Sequence, residues 1–180
     1  QIQGFFNGPV DHLYSSPVLL PYLSSLDLND PVIVSPDAGG VERARAYARR
    51  LDAGLAVIDK RRSAPNVAEV GHVIGEVGGR DVLLVDDMID TAGTLVQGAR
   101  ILKKNGAERV FAVATHAVLS GPALRRLADS PFERVIFTDT IPLSEEGQQC
   151  EKLHVLSAAG LFGEAIQRIH DLSSVSSLFD

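Results

Sequence analysis

Cysteine is nearly absent: Cys150 is the only one in 180 residues, so no internal disulfide can form and a reducing cytoplasm is the expected compartment. No apolar run approaches the ~20 residues of a membrane span, and no signal peptide opens the chain, so neither a helical membrane protein nor a secreted one is expected. A surplus of positive charge is missing as well. Lys and Arg number 17 against 23 Asp and Glu, and the formal net charge of -6 argues against general binding to a nucleic-acid backbone. Methionine occurs once, at Met88, and the opening "QIQGFF" reads as the middle of a longer polypeptide.

What is present is the composition of a globular domain: 45% hydrophobic and 22% charged residues, in a chain long enough for one large core. Short runs rich in Val and Ile at 31–35, 54–59, 81–86, 110–115, 134–139 and 153–157 read as strands. Their apolar character is nearly continuous, as for strands covered on both faces. Between them, 39–54, 91–107, 120–130 and 159–170 read as helices. Leu95, Ala99 and Leu102 recur at helical spacing before a stop at Asn105-Gly106. Another short helix is expected from Ser16, just before Pro17. Strands alternating with helices predict an α/β fold, a mainly parallel twisted sheet flanked by helices with right-handed crossovers. In such sheets ligands lie beyond the carboxyl ends of the strands, at a topological switch point. The connection 60–80 begins as a basic, Pro-containing exposed loop, and 66–77 is a further strand or hairpin. The tail "LSSVSSLFD" is expected to dock through Leu178 and Phe179.

Three strands run into polar segments. After "PVIVS" comes "PDAGG", where Gly39 and Gly40 let backbone N–H groups approach a ligand ahead of a helix N-terminus. Asp37 there suits a Mg²⁺ ion bridging phosphate oxygens, or equally a capping role in a tight turn. After "VLLV" come Asp86, Asp87 and "MIDTAGT". The small residues can form a nest of N–H donors for a phosphate, with Thr91 and Thr94 adding hydroxyls. The two acids suit ribose hydroxyls or a sugar-bound metal; acid–base chemistry and plain solvation are the alternatives. After "GLAVID" comes "KRR", where Lys60 and Arg62, two apart in an extended loop, would face one side. They could neutralise charge on a transferred phosphoryl group, or form a solvated basic cluster. The run "RARAYARR" reads as a solvated helix face, and His72, His116, His154 and His170 lack metal-ligand spacing.

Together "QIQGFF", "PVDHLYSSPVL", "SPDAGGVERAR", "DKRRSAPNVAEV", "VDDMIDTAGTL" and "SVSSLF", in this order from Gln1 to the tail, closely resemble the ribose-phosphate pyrophosphokinase family, also called phosphoribosyl pyrophosphate synthetases. The resemblance implies a type I phosphoribosyltransferase-like fold. The implied reaction is Mg²⁺-dependent transfer of the diphosphoryl group of ATP to the 1-hydroxyl of ribose 5-phosphate, giving phosphoribosyl pyrophosphate and AMP. It implies that Asp90, Thr91, Ala92, Gly93 and Thr94 cradle the 5-phosphate and that Asp86 and Asp87 meet the ribose hydroxyls. Asp37, Ala38, Gly39 and Gly40 would lie at the pyrophosphate site, Asp37 holding the metal, while Lys60 and Arg62 would close over the transferring group on a catalytic loop. Phosphate or ADP would act as effectors at Gln3, Asp11, Ser174, Ser176 and Phe179, and the full-length enzyme would be a homo-oligomer. Family members are about twice this long, and the resemblance is to their C-terminal half, taken as one domain over 1–180 with a lead-in over 1–30. The N-terminal domain, with its adenine-binding loops and a metal-binding histidine, would be missing. A non-catalytic synthetase-associated regulator and a type I phosphoribosyltransferase are the competing expectations.

Overall fold

The computed structural model describes residues 2–61 and 70–179. In chain order the strands are β1 (Val32–Ser35), β2 (Gly54–Arg61), β3 (Val70–Ile74), β4 (Val82–Val85), β5 (Met88–Ile89), β6 (Val110–Val113), β7 (His116–Ala117), β8 (Arg134–Thr138) and β9 (Leu153–Leu156). The helices are α1 (Ile2–Phe5), α2 (Ser16–Ser25), α3 (Val41–Arg50), α4 (Gly93–Lys104), α5 (Ala123–Ala128), α6 (Glu145–Gln148) and α7 (Ala159–His170). Seven strands form one sheet in the order β3-β2-β1-β4-β6-β8-β9, parallel throughout except that β3 runs antiparallel to β2. All six strands expected from the apolar runs form within two residues of their expected bounds.

Alternation along each strand builds two cores. Val32, Val34, Leu84, Ala112, Val135 and Phe137 face one side and pack with Leu95, Ala99 and Leu102 of α4 and Leu127 of α5. Ile33, Leu83, Val85, Phe111, Val113 and Ile136 face the other and pack with Leu19 and Leu23 of α2 and with Ala44, Tyr47 and Ala48 of α3. Successive side chains of a strand point to opposite faces, so a sheet covered on both sides needs an unbroken apolar run. The tail also docks: Leu178 is buried, and Phe179 meets the Tyr14 ring edge-on with centroids 6.4 Å apart.

Two expectations change. Lys60 belongs to β2, in register with Gly71 of β3, and not to a loop. Antiparallel pairing with β3 carries β2 to eight residues, beyond the four of its parallel neighbour β1. The stretch after Asp87 is not a simple turn either, since β5 pairs in parallel with β7 as a small separate sheet and buries Ile89. Two-residue strands carry no periodicity, so the sequence could not announce them.

The amino edge of the sheet is tied by a charge. Asp81, fully buried ahead of β4, accepts bonds from Arg109 Nε at 3.0 Å and Nη2 at 2.5 Å, and from the Asn29 N–H at 2.6 Å. Burial pushes this carboxyl up, but the Arg109 and Asn29 bonds together outweigh it and hold the group below the usual carboxylate range. A depressed folded value means that its stabilisation is present above the unfolded carboxylate range and is lost as pH falls through the folded value. Arg109→Met strands the buried charge and is expected to lower stability by about 3–5 kcal/mol in urea unfolding at pH 7. The deficit should shrink in acid, where the variant's Asp81 is protonated.

Candidate functional site

The strand order places the site. The chain leaves β1 towards β2 on one side and returns to β4 on the other, so β1 and β4 flank the switch point. Their parallel register pairs Val34 with Leu84, so the segments after Ser35 and Val85 leave the sheet side by side at its carboxyl edge. Two of the sequence-predicted segments, Asp37–Gly40 and Asp86–Thr94, are therefore brought together.

The first is a tight turn. Ser35 Oγ donates to the Asp37 carbonyl at 2.6 Å, and the Gly40 N–H donates to Asp37 Oδ1 at 3.0 Å. A Cβ on Gly40 would stand 2.7 Å from Ser35 Oγ, so only glycine fits without displacing a buried group. Asp37, Ala38 and Gly39 are exposed, and α3 starts directly from Gly40 without a side-chain cap.

The second segment starts with its two acids held differently. Asp86 is partly buried and its Oδ1 accepts the Asp87 N–H at 2.9 Å; the exposed Asp87 turns Oδ1 to the Met88 N–H at 2.8 Å. The Asp87 carbonyl takes two more N–H donors, Thr115 at 3.0 Å and His116 at 2.9 Å. Downstream, Ala92 adopts the left-handed region (φ 58°, ψ 4°), and α4 starts at Gly93 with no side-chain cap. Among the described residues α6 has such a cap, from Ser144; α3 and α4, like α2, α5 and α7, start without one, and theirs are the starts beside the β1/β4 switch.

The structure adds a residue that sequence reasoning assigned to a solvated face. Arg43 of α3 reaches across the switch, Nη1 to Asp86 Oδ1 at 3.2 Å and Nη2 to Asp87 Oδ2 at 3.0 Å. Its place one turn after a Gly-Gly helix start was the available signal, but the orientation of α3 over β4 decided the contact. The groups are partly exposed, and such pairs contribute about 0–1 kcal/mol, so the bridge orients the acids without locking them. Burial pushes the Asp86 carboxyl up, the neighbouring Asp87 charge pushes it further, and the Asp87 N–H and Arg43 oppose both.

The side chains of Gln3 and Lys60, and Arg62 entirely, lie outside the described residues. Asp11, Ser174 and Ser176 are exposed; the two serine hydroxyls are 2.9 Å apart, and Phe179 contacts Tyr14. Among the described residues no cluster of three or more His, Cys, Asp or Glu could hold a metal, and no helix is long and apolar enough to cross a membrane.

The family described as "Phosphoribosyl synthetase-associated domain" matches residues 64–180. The ribose-phosphate pyrophosphokinase of Synechococcus elongatus is 61% identical over 99% of this chain and 54% of its own length. The enzyme of that name from Caldanaerobacter subterraneus is 57% identical over 99% of this chain and 57% of its own length. Phosphoribosylpyrophosphate synthetase from Mycobacterium smegmatis superposes with a TM-score of 0.86 at 41% identity, covering 96% of this chain and 56% of that one. An adenine phosphoribosyltransferase, at TM-score 0.50 and 16% identity over 66% of this chain and 72% of its own, shares the fold alone. The chain thus spans about half the length of the curated relatives it matches, and these matches do not bear out its assignment to their C-terminal half. Arg43→Gln is expected to move the Asp86 carboxyl further up, read from carboxyl-carbon NMR shifts across a pH titration; an unchanged midpoint would show that the bridge does not act on Asp86.

Proposed function

The chain belongs to the phosphoribosyl synthetase-associated domain family, and on that premise we propose that it supplies the sugar-phosphate and pyrophosphate loops of a ribose-phosphate pyrophosphokinase. The reaction proposed is transfer of the diphosphoryl group of ATP to the 1-hydroxyl of ribose 5-phosphate, yielding phosphoribosyl pyrophosphate and AMP. One observation carries the reading: two uncapped helix starts and an acid pair converge at the β1/β4 switch, joined by Arg43.

Each part has a matching task. Asp86 and Asp87 accept hydrogen bonds from ribose hydroxyls, a task that suits the paired acceptor oxygens of two carboxylates. The N–H groups of the Asp90–Thr94 loop and the positive end of α4 hold the 5-phosphate. The Asp37–Gly40 turn lies against the transferred diphosphate, with the Gly39 and Gly40 backbone close to its oxygens. Asp37 fits a Mg²⁺ site in chemistry: it is exposed and the Gly40 N–H engages only Oδ1. Mg²⁺ needs one or two protein carboxylates alongside substrate phosphates, and when bound it neutralises charge on the diphosphate. Lys60 and Arg62 are proposed to add cationic charge over the transferring group. Positioning and charge neutralisation suffice for an in-line displacement with no covalent enzyme intermediate. Phosphate or ADP as effectors at Gln3, Asp11, Ser174, Ser176 and Phe179, and a homo-oligomeric full-length enzyme, belong to the same proposal. Docking of the tail beside Tyr14 supports the first of these.

Calorimetric titration of the 180-residue chain tests the sugar site. Ribose 5-phosphate is expected to bind and Mg-ATP to bind weakly or not at all, and Asp87→Asn is expected to weaken the sugar phosphate about tenfold. Tight adenine-specific binding would contradict the proposal. In a full-length ribose-phosphate pyrophosphokinase carrying this domain, Lys60→Ala is expected to slow AMP formation from ATP and ribose 5-phosphate about a hundredfold; an unchanged rate would remove Lys60 from the chemistry.

A further inference from the structure

A loop that binds a phosphate must hide its own negative oxygens. The Asp90–Thr94 segment carries a carboxylate and a run of backbone carbonyls, any of which would repel an anion seated on its N–H groups. The structure engages four of these acceptors. Asp90 Oδ1 accepts the Ser120 hydroxyl, and the Asp90 carbonyl accepts the Ser120 N–H at 3.1 Å. The Thr91 carbonyl accepts Arg126 Nη1 at 2.9 Å. The Ala92 carbonyl is taken by the Val96 N–H at 3.0 Å, within α4. Ser120, through its hydroxyl and its N–H, and the Arg126 guanidinium, both from the segment after β7 and neither in a recognised motif, thus engage acceptors that α4 does not.

Arg126 does more than donate one bond. Its Nη1 stands 3.2 Å from the point where a Cβ on Gly93 would lie, so the guanidinium covers the loop at the residue that opens α4. The left-handed Ala92 sits between the Arg126-bound carbonyl and Gly93, and a non-glycine residue there costs on the order of 1–2 kcal/mol that surrounding contacts must offset. The guanidinium, bonded to the carbonyl that precedes this turn, adds positive charge beside it.

We infer that Ser120 and Arg126 are positioning residues for the sugar-phosphate loop, turning its carbonyl and carboxylate oxygens away so that its N–H groups face the 5-phosphate. The inference rests on the proposed assignment of the Asp90–Thr94 loop to that phosphate. It assigns no contact between either residue and the sugar.

The test is calorimetry on the 180-residue chain with two probes, ribose 5-phosphate and Mg-pyrophosphate, the second reporting on the separate Asp37–Gly40 turn. Arg126→Met, which keeps the apolar stem and removes the donor, should weaken ribose 5-phosphate about tenfold and leave Mg-pyrophosphate within about twofold. Arg126→Lys should recover most of the loss, and Ser120→Ala should weaken the sugar phosphate in the same direction. Equal ribose 5-phosphate affinity in Arg126→Met and wild type would overturn the inference while leaving the loop assignment standing. Parallel loss of both probes with a lowered melting temperature would show a structural role only and overturn it too. If the wild-type chain binds Mg-pyrophosphate but no ribose 5-phosphate, the loop assignment falls and the inference with it.

Discussion

The parallel pairing of β1 with β4 is the constraint on which the rest depends. Because Val34 lies against Leu84, the two strands end at one level, and the segments following them are forced to share one edge. Everything polar in the candidate site follows from that coincidence. The Asp37 turn, the acid pair and the uncapped starts of α3 and α4 would be separate features on any other strand order. Apolar side chains on both faces secure the register, since a slip by one residue would exchange the two cores.

The two ends of β4 show how one kind of charge pair serves different ends. At the amino end Asp81 is sealed, its oxygens taken by Arg109 and Asn29, and the pair ties the loop before β4 to the start of β6. At the carboxyl end Asp86 and Asp87 meet Arg43 in a partly exposed setting, where the attraction is screened and the acids stay available to solvent. Burial of the acid, and not of the arginine, therefore separates a structural pair from one able to exchange partners. The pKa directions follow the bonding and not the burial alone: Asp81 is held down by bonds that outweigh its burial, while burial and a neighbouring acid raise Asp86.

The site also places like charges close together and manages them locally. Asp86 and Asp87 each accept a backbone N–H and share Arg43; Asp90 is turned to Ser120; Asp37 is folded back on Gly40. Acids held in this way can sit beside proposed phosphate positions because donors within hydrogen-bond reach compensate each carboxylate before any ligand arrives.

From sequence alone, strands and most helices were legible because burial on both faces imposes unbroken apolar runs and helical periodicity. The Asp37–Gly40 and Asp86–Thr94 segments were legible because glycine, acids and small residues at strand ends have few other uses. Arg43, Ser120 and Arg126 were not: each lies on a helix or loop whose local pattern looks ordinary, and its partner is 30 or more positions away in the chain. The short β5 and β7 strands and the extension of β2 through Lys60 were hidden for the same reason, since pairing with a distant strand and not local preference creates them. Sequence determined which segments had to be strand, helix and polar turn. Tertiary structure alone decided which donor meets which acid, because hydrogen bonds are short and directional and only the packed sheet sets side chains from distant segments within their reach.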